Sequence, residues 1–191
     1  AWQNGHNKPV QLLLRNGAGV NLCTENGVSP LYIACQNGHD IIAQLLLSNG
    51  ADINKCSKNK DSPLYIACQN GHDSIVLILL LNEADINVCK KDGDSPLHGA
   101  CYGGHTGIVQ RLLNKGAYIN LNNERGLSPL YIAFYRRHFK TVQFLLENGA
   151  DARFNNGCGI KPASINWFDE NDSTVQFLQR EDNIIENIHD P

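Results

Sequence analysis

The chain has 191 residues, with 16 Lys+Arg against 19 Asp+Glu and a formal net charge of −3. That balance excludes a strong overall pull towards nucleic acid or an anionic membrane. No apolar run approaches the length of a membrane-spanning helix, and no secretory leader is visible.

Taken in order, residues 1–25 open in the middle of an element: Ala1 to His6 aligns with Ala34 to His39. Leu12, Leu13 and Leu14 follow in a second helix, ended by Asn16-Gly17-Ala18. This register and the absence of Met lead us to expect a fragment of a longer chain, with further repeats upstream.

The next stretch sets the pattern. Ser29-Pro30-Leu31-Tyr32-Ile33-Ala34-Cys35-Gln36-Asn37-Gly38-His39-Asp40 returns unchanged from Ser62 to Asp73, and looser copies begin at Ser95 and Ser128, always 33 residues on. A fixed period of this size means a stacked repeat array. Ser is a helix N-cap and Pro suits the first helical position. Leu31, Ala34 and Cys35 give one apolar face, and Gly38 ends the helix in the left-handed conformation. Asp40 is expected to cap a second helix through Ile41, Ile42, Leu45 and Leu46, ended by Asn49-Gly50. Ala51-Asp52-Ile53-Asn54 then leads into a polar turn. Helices this short are marginal alone in water, so each pair must bury its faces against copies of itself.

Residues 26–58 and 59–91 are the most regular repeats; 92–124 and 125–157 drift. Glu83 stands where other repeats have Gly, at about 1 kcal/mol for a side chain at positive φ. Gly99 and Gly107 fall inside helices, each at a cost of about 1 kcal/mol relative to Ala. The joint between 59–91 and 92–124 is therefore expected to be the soft place in the array. Residues 158–191 form a degraded copy, with Lys161-Pro162-Ala163 for Ser-Pro-Leu and Thr174 to Leu178 echoing Thr141 to Leu145. A terminal repeat needs a polar outer face, and this segment is expected to be a C-terminal cap.

Ser-Pro-Leu-Tyr-x-Ala, Gly-His, Leu-Leu and Gly-Ala-Asp-Ile-Asn at this period closely resemble the ankyrin repeat. The family's Thr-Pro-Leu-His appears with Ser for Thr throughout and Tyr for His except at His98. The tetratricopeptide repeat has a similar period but different key residues. The resemblance implies an all-α repeat solenoid of stacked helix-turn-helix units with hairpin-like turns, forming one domain over residues 1–191.

No reactive centre stands apart from the repeats. His6, His39, His72, His105 and His138 recur at the period and are expected to serve the repeat rather than a metal or proton transfer. Cys35, Cys68 and Cys101, and likewise Cys23, Cys56 and Cys89, are 33 apart. Equivalent positions roughly 8–10 Å apart are too distant for disulfides or shared zinc. Small buried thiols in a reducing compartment are expected, hence a cytoplasmic chain with the nucleus as an alternative. Cys158 breaks the pattern. Lys55, Lys58, Lys60, Lys90 and Lys91 are interleaved with Asp61, Asp92 and Asp94, a mixed solvated edge rather than a phosphate-binding stripe. We expect no catalysis, no cofactor and no metal, and neither nucleic acid nor membrane as partner.

The resemblance implies a protein-binding scaffold whose contact surface is its concave side, made of turn tips and first-helix ends. The helix-end positions read Gln36-Asn37 and Gln69-Asn70, then Tyr102-Gly103, Tyr135-Arg136 and Phe168-Asp169. The aromatic and Arg-rich half has the composition of binding hot spots. Tyr102, Tyr135, Arg136 and Phe168, with Arg125 and Leu127 at the tips, are the candidate protein-binding residues; packing under the cap is the other reading of Phe168. On the second helices, Gln11, Gln44, Gln110, Gln143 and Gln176 share a position at which 59–91 has Leu77, with Leu81 four residues on. That pair is a candidate convex-face contact with a second copy or with upstream domains. The alternative function is a structural spacer or sensor arm of a multidomain enzyme or signalling protein, contacting its own upstream domains.

Overall fold

The computed structural model describes residues 7–151; the cap segment 158–191, with Cys158 and Phe168, lies outside them. Among the described residues there are nine helices and no strand: α1 (Asn7–Arg15), α2 (Pro30–Asn37), α3 (Asp40–Ser48), α4 (Pro63–Asn70), α5 (Asp73–Leu81), α6 (Pro96–Gly103), α7 (Thr106–Asn114), α8 (Pro129–Tyr135) and α9 (Phe139–Glu147). None exceeds nine residues. The first helices of the repeats (α2, α4, α6, α8) pack side by side as one layer, and the second helices (α1, α3, α5, α7, α9) as another. The result is an all-α repeat solenoid.

The repeated leucines lie between the layers. Leu31, Leu64, Leu97 and Leu130 from the first helices, and Leu46, Leu79, Leu112 and Leu145 from the second, are all fully buried. Fully burying such a side chain contributes about 1.5–3 kcal/mol. Cys35, Cys68 and Cys101 are buried beside them as free thiols, and burial pushes each thiol up, away from the reactive thiolate. The other cysteine series departs from the expectation of burial. Cys23 is exposed and Cys56 and Cys89 half-buried, because they follow the turn asparagine outside the helical layers.

Helix entry follows the sequence signals. The hydroxyls of Ser29, Ser62 and Ser128 accept from the backbone N–H of Tyr32, Tyr65 and Tyr131 at 3.0–3.1 Å. The second helices differ from expectation by one residue. His39 holds the N-cap position and Asp40 is already the first helical residue, its carboxylate accepting from the Ile41 N–H at 2.7 Å. An acidic group there still favours the positive end of the helix dipole.

Two polar ladders join the repeats. The Nε2–H of His72, His105 and His138 donates to the carbonyls of Gln36, Gln69 and Tyr102 in the preceding repeat, at 3.1, 3.3 and 3.0 Å. The ring needs a C-cap without a side chain: at Gly71, φ is +77° and a Cβ would stand 2.4 Å from His105. The second ladder comes from the turn asparagines that follow Val20, Ile53, Ile86 and Ile119. Asn21, Asn54, Asn87 and Asn120 accept through Oδ1 from the backbone N–H of Asp52, Asp85, Tyr118 and Asp151 at 2.8–3.1 Å. At the tips, Lys58, Lys91 and Glu124 each donate a backbone N–H to the preceding tip, at Asn26, Asn59 and Asp92.

Of the three residues on which the expected soft joint between 59–91 and 92–124 rests, Gly99 is revised by this geometry. Gly99 is not a mere helix-weakening residue: a Cβ there would lie 3.2 Å from both the Tyr65 ring and the Tyr65 carbonyl oxygen, so its absence lets α6 approach α4 closely. The same joint holds a bidentate ion pair, Arg111 Nε and Nη2 to Asp73 at 2.8 and 3.0 Å. Gly107, by contrast, faces open space, and Glu83 has the left-handed φ of +62° expected of its Gly position.

These glycine environments give opposite signs. Gly107→Ala, in the first turn of α7, should stabilise by up to about 1 kcal/mol, and Glu83→Gly by about 1 kcal/mol. Gly99→Ala should destabilise by about 1–3 kcal/mol through overpacking against backbone. Urea unfolding of the three variants reads all three signs.

Candidate protein-binding site

The repeats from residue 92 on replace the amides of the first-helix ends with larger groups. At the end of α4 the side chain reaches back one repeat: Asn70 Nδ2 donates to the Gln36 carbonyl at 2.9 Å, whereas Asn37 Nδ2 donates within its own helix to Ile33. Arg136 occupies the equivalent position one pair of repeats later and makes the equivalent reach. Its guanidinium carbon lies over the Tyr102 ring, 4.0 Å from the centroid. Such a stack contributes about 0.5–1 kcal/mol at an exposed site. Beside it, one turn of α8 sets Tyr131 and Tyr135 in a stack, with centroids 6.2 Å apart and planes 14° from parallel.

The neighbouring tip is built on Asn123. Its Oδ1 accepts from the backbone N–H of both Arg125 and Leu127 at 3.0 Å, and its Nδ2 donates to Asp94 Oδ1 at 2.7 Å. This turn presents Arg125 and Leu127 to the same space. Together Tyr102, Arg125, Leu127, Tyr135 and Arg136 line a groove of about 240 Å³, completed by Asp94, Asn123, Tyr131 and Ile132. Five of the six candidate residues thus meet in one place; Phe168 lies outside the described residues. Tyr135 is 65 % exposed and Tyr102 43 %, so their rings are open to contact.

Of the last four lining residues, the sequence does not single out Asn123, Tyr131 or Ile132, and it places Asp94 in the mixed charged edge of the tips. A signal existed for Asn123: with Thr24 and Ser57 it shares a repeat position whose side chain accepts from the turn's own N–H groups. Tyr131 repeats Tyr32 and Tyr65, both buried, and nothing in the repeat pattern marks it as the one that lines a groove.

His98 anchors the tip to α6 from below. It is buried, its Nδ1 accepts from the Ser95 N–H at 3.1 Å and from the Ser95 hydroxyl at 2.9 Å, and its Nε2–H donates to the Leu127 carbonyl at 3.1 Å. That bonding fixes a neutral ring.

A family model of ankyrin repeats (3 copies) matches residues 1–90 and 74–156. The chain belongs to the ankyrin-repeat family. The sequence matches no curated protein. Ankyrin repeats generally mediate protein–protein interaction and are typically non-catalytic. In this ankyrin array the groove lies on the side of turn tips and first-helix ends. Leu77 and Leu81 are on α5 in the other layer, 39 % and 67 % exposed, away from the groove. Among the described residues, no group of three His, Cys, Asp or Glu is placed to hold a metal ion, and no helix is long and apolar enough to cross a membrane.

The array's stability should depend on pH through His98. Burial lowers its affinity for a proton, more than the Asp94 carboxylate raises it. A base whose folded pKa is depressed contributes stability above its unfolded pKa, about 6.5, and loses it as pH falls towards the folded value. Chemical denaturation at pH 7 and pH 5 should show a loss for the native chain that is smaller in His98→Tyr, the residue of the other repeats.

Proposed function

We propose that this chain is a non-enzymatic protein-interaction scaffold acting inside the cell. It binds a partner through the face centred on Tyr102, Tyr135 and Arg136, with Arg125 and Leu127 at the tips. The observation that carries this reading is the gathering of these five side chains around one groove spanning two repeats. Large, rather rigid aromatic groups and arginine are the residues that dominate binding energy at interfaces. The non-enzymatic reading is supported by the commitments of the recurring polar residues: the serines cap helices and the histidines His72, His105 and His138 bridge repeats. The six described cysteines are free, which supports a reducing compartment.

A second contact is favoured by Leu77 and Leu81. Neighbouring repeats carry Gln44 and Ser48, or Gln110 and Asn114, at these positions, and the two leucines are exposed. We assign them to a contact with a second copy or another domain of the same protein, the arrangement a spacer or sensor arm would use.

Two experiments separate these readings. Partner capture from a native extract by the 191-residue chain should be lost, by roughly a hundredfold in affinity, when Tyr102, Tyr135 and Arg136 are all changed to Ala. Unchanged capture overturns the groove reading. Leu77→Gln with Leu81→Ser should leave urea unfolding within about 0.5 kcal/mol of the native chain while weakening self-association or domain contact in sedimentation. A large destabilisation with unchanged sedimentation would make the pair part of the core.

A further inference from the structure

The groove between α6 and α8 holds an imbalance of charge that the described chain does not neutralise. Arg125 and Arg136 border it against one carboxylate, Asp94, and Asp94 already accepts from Asn123 at 2.7 Å. Among the described residues neither arginine has a carboxylate within ion-pair distance. Two other cations of the array are paired: Arg111 is 2.8 Å from Asp73, and Lys90 is 3.3 Å from Asp92 and 3.8 Å from Asp61. A locally cationic groove therefore stands on a chain of net charge −3.

Arg136 is also held in place. Its guanidinium lies over the Tyr102 ring, and stacking of this kind leaves the in-plane N–H donors at the guanidinium edge for a planar acceptor. A carboxylate matches that edge with two parallel hydrogen bonds. The stacked pair Tyr131 and Tyr135 supplies an apolar surface alongside. At about 240 Å³ the groove has room for one large side chain rather than a folded element.

We propose that this groove docks an acidic peptide segment. A Glu or Asp carboxylate meets the free edge of Arg136, a neighbouring large apolar side chain lies against Tyr131 and Tyr135, and Arg125 adds attraction at the rim. The proposal rests on the protein-binding reading above and supplies the partner's chemistry. A nucleic-acid strand is the weaker fit, because phosphate tracking needs a run of cations. Here the adjoining tips alternate Lys90 and Lys91 with Asp61, Asp92 and Asp94.

The test uses short fluorescent peptides with a central Phe flanked by Glu, by Gln or by Lys, titrated against the full chain, with single-stranded oligouridine as a further probe. Glu-flanked peptide should bind roughly tenfold tighter than Gln-flanked, the usual gain from a charge-assisted hydrogen bond, with Lys-flanked weakest. Arg136→Gln should bring the Glu and Gln sets together, Arg136→Lys should keep only part of the preference, and Tyr135→Ala should weaken every set. Equal binding of the three sets, no binding by any, an unchanged preference in Arg136→Gln, or tighter binding of oligouridine each overturns the proposal. If the triple alanine variant loses its captured partner while the peptides show no preference for acid, the face stands and the acidic chemistry falls. If the triple variant keeps its partner, the face itself is wrong.

Discussion

Every described helix is nine residues or shorter, below the length at which an isolated helix holds together in water. Stacking is therefore a condition of the secondary structure itself, not an addition to it. The two helical layers exist because each buries its leucines against the other and against neighbouring repeats. The polar groups left at helix ends and turns are then satisfied across repeats, by the histidine and asparagine ladders. Apolar burial gives this stacking most of its energy, and the ladders fix its register, because a slip of one residue would leave the carbonyls and turn N–H groups without partners.

The groove grows out of that same geometry. The residue at the end of α4 reaches to the end of α2, and that at the end of α8 to the end of α6. Between α4 and α2 the contact is a hydrogen bond that ties repeats together, from the Asn70 side-chain amide to the Gln36 backbone carbonyl. Where the equivalent residues are Arg136 and Tyr102, the reach is kept but the contact is a stack with its charge facing outward. A position that served the array is thus converted to one that presents charge to another molecule. Repeats with the same backbone differ in function through a few side chains at fixed places.

Departures from the repeat pattern have different meanings depending on what surrounds them. Gly99 and Gly107 look alike as helical glycines, yet one sits against the Tyr65 backbone and the other faces open space. His98 replaces a tyrosine and, being smaller and able to bond at both nitrogens, links its own N-cap to the next tip. Arg137 takes the left-handed φ of +62° at a position where earlier repeats have glycine; the strain is accommodated in the repeat that carries the stacked pair Tyr131 and Tyr135.

The sequence by itself determined the family, the solenoid class, the helix starts at Ser-Pro and the buried leucines, because each follows from local rules repeated at a fixed period. It also singled out Tyr102, Arg125, Leu127, Tyr135 and Arg136, since breaks in a near-perfect repeat stand out. What it left undetermined was which of these side chains meet. That Tyr131 and Asp94 join them, that Asn123 ties its tip to Asp94, and that Gly99 is a contact point depend on distances between residues about 30 positions apart. Those distances are set by how closely one repeat settles on the next, and packing of that kind is a property of two surfaces together, which neither repeat's sequence specifies alone.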